Sequence, residues 1–108
     1  MNRQFAAVEP SRSQIDSLPG PALIEFGTPW CGYCLAVQPL LEAALAAYPN
    51  LPHVKIEDGP GRRLGRSFRV KLWPTLIFIE QGRELARLVR PTTVDEIVQA
   101  LRRFPGQV

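Results

Sequence analysis

An α/β fold with one mixed central sheet follows from three observations in the sequence. A strand, a helix and a second strand succeed one another between Ala22 and Glu57, an order that closes as a right-handed parallel crossover. Two further strand-like runs meet at Gln81 and Gly82, which makes them an antiparallel hairpin. Thr93 followed three residues later by Glu96 is a capping box that opens a last helix. A parallel βαβ half joined to an antiparallel ββα half makes a mixed sheet with helices packed on it.

The elements are justified in chain order. Ser11 or Ser13 caps a short helix reaching Leu18, and Pro19, Gly20 and Pro21 then break the chain. Ala22 to Phe26 reads as a buried strand. From Cys31 to Tyr48, apolar residues at Leu35, Val37, Leu40, Leu41, Ala44, Leu45 and Tyr48 follow helical spacing, and Pro39 inside the run predicts a kink. Pro49 to Pro52 turns the chain into a second strand, His53 to Glu57. Asp58 to Gly61 leads into a short helix ending near Phe68. Thr75 to Ile79 is an apolar, partly β-branched strand, and Glu84 to Val89 alternates as the returning one. Val94, Ile97, Val98, Leu101 and Phe104 form one apolar face of the last helix. Repeats, linkers and low-complexity tracts are absent.

The 108 residues, 45% hydrophobic, suit a single domain over 1–108 with one core. A domain of this size buries roughly two-thirds of its unfolded surface and needs neither disulfide staples nor a structural metal. The two cysteines are thereby left for chemistry. No apolar run approaches the about 18 to 20 residues that span a bilayer, and Met1 to Pro10 holds no continuous apolar stretch. The expectation is a cytoplasmic protein without a membrane partner. In a reducing compartment, a two-cysteine C-x-x-C protein is catalytic or metal-binding rather than stapled. Part of the net charge of +3 lies between Arg62 and Lys71. Arg62, Arg66 and Arg69 would share one side of a helix, as a solvated face or as a docking patch for acidic partners. The basic residues are not interleaved with aromatics and no nucleic-acid motif occurs, so nucleic acid is not an expected partner.

Trp30, Cys31, Gly32, Tyr33 and Cys34 lie where a strand ends and a helix begins. The first turn of a helix offers unpaired N–H groups and the positive end of the dipole, which favours a thiolate at Cys31 over its thiol. Cys31 is then the nucleophile. Cys34, one turn on and on the same side of the helix, can close an intramolecular disulfide and serves as the resolving thiol. A C-x-x-C pair is also compatible with half a zinc site or with inert core cysteines. Zinc, however, needs four ligands, and the chain has no third cysteine and only His53, in another strand. Neither a metal nor a cofactor is expected, and C-x-x-C beside a βαβ pattern is a redox signal.

The W-C-x-x-C run at Trp30 to Cys34, the helix proline Pro39, the step Trp73, Pro74, Thr75 opening a strand, and Gly82 in the hairpin stand together in one order. On these residues the chain resembles the thioredoxin family over about four-fifths of its length, from near Ala22 to Phe104. The resemblance implies the thioredoxin fold, with Pro74 as the family's cis proline facing the cysteine pair. Read alone, a proline opening a strand is a plain trans edge residue, since few X-Pro bonds are cis, and it is family position that points to cis. In relatives the residue before that proline offers its backbone to the substrate chain. Trp73 would thus form a peptide-binding groove with Trp30, alongside Gly32 and Tyr33, or else pack into the core. Glu25, six residues before Cys31, stands where relatives carry a buried aspartate below the second cysteine, and would take the proton from Cys34 during resolution, directly or through water. Its alternative is an outward-facing glutamate. Lys55 roughly aligns with a lysine that neighbours that carboxylate.

Three positions depart from the family pattern. Tyr33 replaces the usual proline between the cysteines, where residues tune the redox potential. Arg90 stands where a glycine usually lets substrate backbone approach, and Glu25 is a methylene longer than aspartate. The expected function is thiol–disulfide exchange that reduces protein disulfides, by a monomer re-reduced by a reductase or another thiol system. Alternatives are a disulfide oxidase or isomerase, and a non-enzymatic binding module in which the cysteines act as a redox switch.

Overall fold

The computed structural model describes residues 1–106. Its elements in chain order are α1 (Arg12–Asp16), β1 (Pro21–Gly27), α2 (Gly32–Leu45), β2 (His53–Glu57), α3 (Arg63–Ser67), β3 (Thr75–Glu80), β4 (Arg83–Val89) and α4 (Val94–Leu101). The strands form one sheet in the order β2-β1-β3-β4. β1 runs parallel to β2, and β3 is antiparallel to both β1 and β4. The parallel and antiparallel halves expected from the sequence therefore meet between β1 and β3.

Apart from the buried Glu25 and Thr75, the two central strands are apolar on both faces because helices cover both. On one face Leu23, Leu76 and Phe78 pack under Val37, Leu41 and Leu45 of α2 and Ile97 and Leu101 of α4, with Phe104 beyond the helix end. On the other, Ile24, Phe26, Ile77 and Ile79 meet Ile15 of α1 and Leu64 and Phe68 at α3. Continuous apolar runs rather than alternation are what a doubly covered sheet demands. Ser11 caps α1 and Thr93 caps α4, each through a complete capping box. Gln81 and Gly82 both adopt positive φ, 48° and 81°, as a two-residue I′ turn between β3 and β4 requires.

The structure differs from the sequence reading at several edges. α1 stops at Asp16 rather than Leu18, and α2 ends at Leu45 rather than Tyr48. α4 ends at Leu101, so Phe104 reaches the core from the turns that follow. The N-terminal segment adds a parallel bridge, Phe5 to Lys55, on the free edge of β2, a single pairing too short to leave a sequence pattern. Arg62, Arg66 and Arg69 do not share a helix face, since α3 is only Arg63–Ser67. Arg62 is its N-cap and Arg69 lies past its end with φ 58°. Among the described residues no helix is long and apolar enough to cross a membrane.

Candidate active site

Between β1 and α2 the chain turns through Thr28, Pro29 and Trp30 and delivers Cys31 as the N-cap of α2. Its backbone is extended, and its sulfur accepts the Cys34 N–H at 3.2 Å. A sulfur thus takes the place that a serine or aspartate oxygen takes at an ordinary cap. Both thiols are free, and Cys31 is 8% exposed against 4% for Cys34. Gly27 makes room for the second thiol, since a Cβ there would lie 2.6 Å from Cys34 Sγ.

The Cys34 thiol is pushed up from 9.0 to about 12. Burial is the largest cause and the hydrogen bond with Cys31 the next, the nearby Glu25 charge adds to both, and the Thr28 backbone pulls the other way. The consequence for stability has a definite sign. Above pH 9 the unfolded chain loses this proton while the native one keeps it, so the free energy of unfolding falls as pH rises. The contribution is whole below pH 9 and is lost on the way to about 12. The urea midpoint of the reduced protein should therefore fall more steeply over this range than that of Cys34→Ala. Parallel pH profiles for the two proteins would refute this.

Beneath Cys34 lies Glu25, 1% exposed, on the β1 face covered by α2. Its Oε1 is 2.7 Å from His53 Nε2, its Oε2 accepts from Gln38 Nε2 at 2.9 Å, and Lys55 Nζ stands 4.0 Å from Oε2. The parallel register explains the convergence. Leu23 pairs with His53 and Glu25 with Lys55, and a strand's period of two puts all four on one face. His53 Nδ1 accepts the Asn2 N–H at 3.2 Å, so Nε2 carries the proton and donates it to Glu25. Gln38 also donates from Nε2 to the Cys34 carbonyl at 2.9 Å, and its Oε1 accepts from Lys55 at 3.3 Å. A buried charge is tolerable only when partnered in this way. Gln38, Lys55, Cys34 and Thr28 also line a pocket of about 320 Å³ open to solvent, and the buried Thr28 hydroxyl has no hydrogen-bond partner among the described residues. A water there would meet polar atoms on several sides.

The other wall is the Trp73–Pro74 step, whose peptide bond is cis. The Trp73 carbonyl lies 4.0 Å from Cys31 Sγ and accepts from Arg90 Nε at 2.8 Å. The indole of Trp73 donates to Asp58 at 2.9 Å and meets Trp30 edge-on, with centroids 5.7 Å apart. Trp30 is 73% and Tyr33 59% exposed, large apolar surfaces standing in water around the thiols. The Arg90 guanidinium lies over the Tyr33 ring, 3.9 Å from its centroid. Arg90 itself has φ 51°, the left-handed region that a glycine would occupy without strain. Its two side-chain contacts offset a backbone cost of about 1 to 2 kcal/mol.

A thioredoxin family model matches residues 7–103. The chain belongs to the thioredoxin family. Thioredoxin 2 from Pseudomonas aeruginosa PAO1, solved in its reduced form, is 54% identical, with a TM-score of 0.81 and 93% of each chain covered. Thioredoxin from Chlamydia trachomatis is 32% identical over 82 residues, which are 76% of this chain and 80% of that one. Protein disulfide-isomerase A3 from Gallus gallus is 34% identical over 89 residues, 82% of this chain but 18% of the isomerase. The chain therefore spans less than a fifth of that relative. The fold is the thioredoxin fold, and the chain is a thiol–disulfide oxidoreductase.

Of the residues singled out in the sequence, Trp30, Cys31, Gly32, Tyr33 and Cys34 lie at the start of α2, with Trp73 and Pro74 across from them and Glu25 and Lys55 below. Glu25 faces inward, so its outward-facing alternative falls. Trp73 is half-buried at the rim and not a core residue. His53, Gln38, Thr28 and Asp58 were not foreseen. The alternation His53, Lys55 opposite Glu25, and Gln38 one turn after Cys34, are the signals that could have found the first two.

Proposed function

We propose that this chain reduces disulfides of protein substrates in the cytoplasm, acting as a monomer that a reductase or another thiol system returns to the dithiol. The observation that carries the reading is the pair of free thiols at the N-terminus of α2, one capping the helix and the other buried beneath it, beside an exposed aromatic rim. Cys31 thiolate attacks a substrate sulfur, an S–S bond breaks, and the leaving thiolate takes a proton. Cys34 then gives up its proton and attacks Cys31 Sγ. The second substrate thiol departs, and two electrons have passed to the substrate as the Cys31–Cys34 bridge forms.

Glu25 is the acceptor of the Cys34 proton, through water in the pocket lined by Thr28 and Gln38. Once Cys31 is tied up in the mixed disulfide, the hydrogen bond and charge with which it holds the Cys34 proton are gone, and transfer becomes easier at the step that needs it. Trp30, Gly32, Tyr33, Trp73 and Pro74 form the surface that receives the substrate chain, with Trp73 supplying backbone hydrogen bonds in the manner of strand addition. Arg90 already occupies one lone pair of the Trp73 carbonyl, so a substrate N–H uses the other or displaces the guanidinium.

The direction of electron flow is read from the redox potential equilibrated against glutathione. A value at or below the cytosolic poise, about −220 to −260 mV, is the expected result. A value near about −180 mV or above would overturn the reductase reading in favour of oxidation or isomerisation. Mixed-disulfide trapping with Cys34→Ser identifies the substrates.

A further inference from the structure

A second concavity shares Trp73 with the thiol site, a groove of about 470 Å³ that Arg62, Arg66, Arg69 and Lys71 also line. We propose that this groove docks acidic residues lying a few positions from the disulfide cysteine of the substrate protein. The proposal deepens the reductase reading and rests on it for the placement of the substrate cysteine at Cys31.

Three observations carry it. First, the cations converge from different backbone settings: Arg62 is the α3 N-cap, Arg66 lies within α3, Arg69 is in the turn that follows, and Lys71 is in the irregular segment before β3. Helical spacing alone would have explained a solvated face, but it does not explain a shared concavity. Second, their charge is not consumed within the fold. Arg62 has Glu57 at 3.9 Å, while Arg66, Arg69 and Lys71 are exposed and have no carboxylate partner among the described residues. Elsewhere Arg3, Arg12 and Arg87 are each paired, and Arg63, Arg83, Arg102 and Arg103, which also have no carboxylate partner among the described residues, lie outside this groove. The one carboxylate in the groove, Asp58, is engaged by the Trp73 indole. Like charges gathered in a cleft focus a positive potential that draws in anionic partners.

Third, the groove shares Trp73 with the active site. Trp73 lines the groove, its indole hydrogen-bonded to Asp58 of the same lining, and its carbonyl lies 4.0 Å from Cys31 Sγ. A substrate chain seated at Cys31 and extended past Trp73 enters the cations after a few residues, at about 3.3 Å per residue. On the other side of the carbonyl, Arg90 adds a further cation over Tyr33. An acidic protein segment is favoured over nucleic acid because the cargo of the adjoining thiols is a protein disulfide, and because Trp73 is the one aromatic among the residues lining the groove, too few for successive bases to stack.

The test compares disulfide-bridged peptides identical except for three Asp/Glu or three Lys residues flanking one cysteine. The wild-type protein should reduce the acidic peptide about ten times faster at low ionic strength, a preference that shrinks severalfold in 0.5 M salt as screening sets in. The double variant Arg66→Glu, Lys71→Glu should lose the preference while reducing neutral 2-hydroxyethyl disulfide at the wild-type rate. Binding of the same peptides in linear, cysteine-free form to the Cys31→Ser, Cys34→Ser protein, followed by fluorescence polarisation, reads docking apart from redox chemistry and should show the same order. Equal binding of the two peptides, a preference that survives charge reversal, or a single-stranded oligonucleotide binding as tightly as the acidic peptide would each overturn the proposal. Failure to reduce 2-hydroxyethyl disulfide would instead overturn the reductase reading, with docking still decided by the binding arm.

Discussion

Cys31→Ser lowers insulin-disulfide reduction by roughly 10³-fold or more, to the background of the assay, while leaving the fold intact. A hydroxyl at the N-cap preserves the hydrogen bond from the Cys34 N–H and caps at least as well as sulfur. Stability is therefore maintained while the chemistry disappears. Serine oxygen stays protonated at neutral pH and cannot form an S–S bond, so neither the first attack nor the later bridge is open to it. Cys34 does not substitute, because its thiol is buried, and that burial, the largest cause of its raised pKa, persists in the variant. Cys34→Ser behaves differently: attack by Cys31 proceeds, no thiol resolves the product, and the mixed disulfide accumulates. Appreciable turnover in Cys31→Ser would remove the assigned nucleophile. Absence of turnover in the parent, with partner binding retained in the double serine variant, would make the chain a binding module.

Glu25→Gln slows the resolving step by about 10²-fold, within the range for a lost general base, and changes the first step by less than about threefold. The amide is nearly the same size, so packing under α2 is retained. What changes is polarity. Both carboxylate oxygens face donors, His53 Nε2–H and Gln38 Nε2–H, and an amide can offer an oxygen to only one of them. The variant has no base to receive the Cys34 proton, so its resolution rate should rise with pH toward the alkaline range, as hydroxide takes over. Rapid-mixing fluorescence separates the two steps, with Trp30 and Trp73 as reporters. A pH profile unchanged from wild type, with both steps slowed alike, would mean that Glu25 only supports the structure.

The buried network raises the question of why so polar an arrangement persists under an apolar helix. Glu25, His53, Gln38 and Lys55 are joined by hydrogen bonds and an ion pair, Asn2 takes the other His53 nitrogen, and the set reaches Cys34 through its carbonyl. Removing one member strands the others, so the cost of any single substitution exceeds that of its own bond. Glu25 is therefore poorly replaced one residue at a time. Gln38→Ala is the informative partner variant, because it opens the pocket while leaving the His53 bond in place.

Local order was largely legible in the chain. The strand from Ala22, the helix behind Cys31, the hairpin at Gln81 and Gly82 and the capping box at Thr93 each carry a signal within a dozen residues, since periodicity, caps and turns are short-range physics. The positions of both cysteines on α2 followed from the same local rules. Helix ends were less legible, because Leu45 and Leu101 are followed directly by Ala46 and Arg102 rather than by a glycine or proline that would mark the stop.

By itself, then, the sequence determined the alternation of elements, the mixed sheet and the identity of the thiol pair, all consequences of spacing along the backbone. Only the tertiary structure decided that Glu25 faces inward onto His53 and Gln38, that Arg90 engages the Trp73 carbonyl, and that cations from a cap, a short helix and the segment after it share one groove. Those outcomes depend on strand register and on the approach of segments dozens of residues apart. Register is set by the whole core at once, and no local run of residues encodes it.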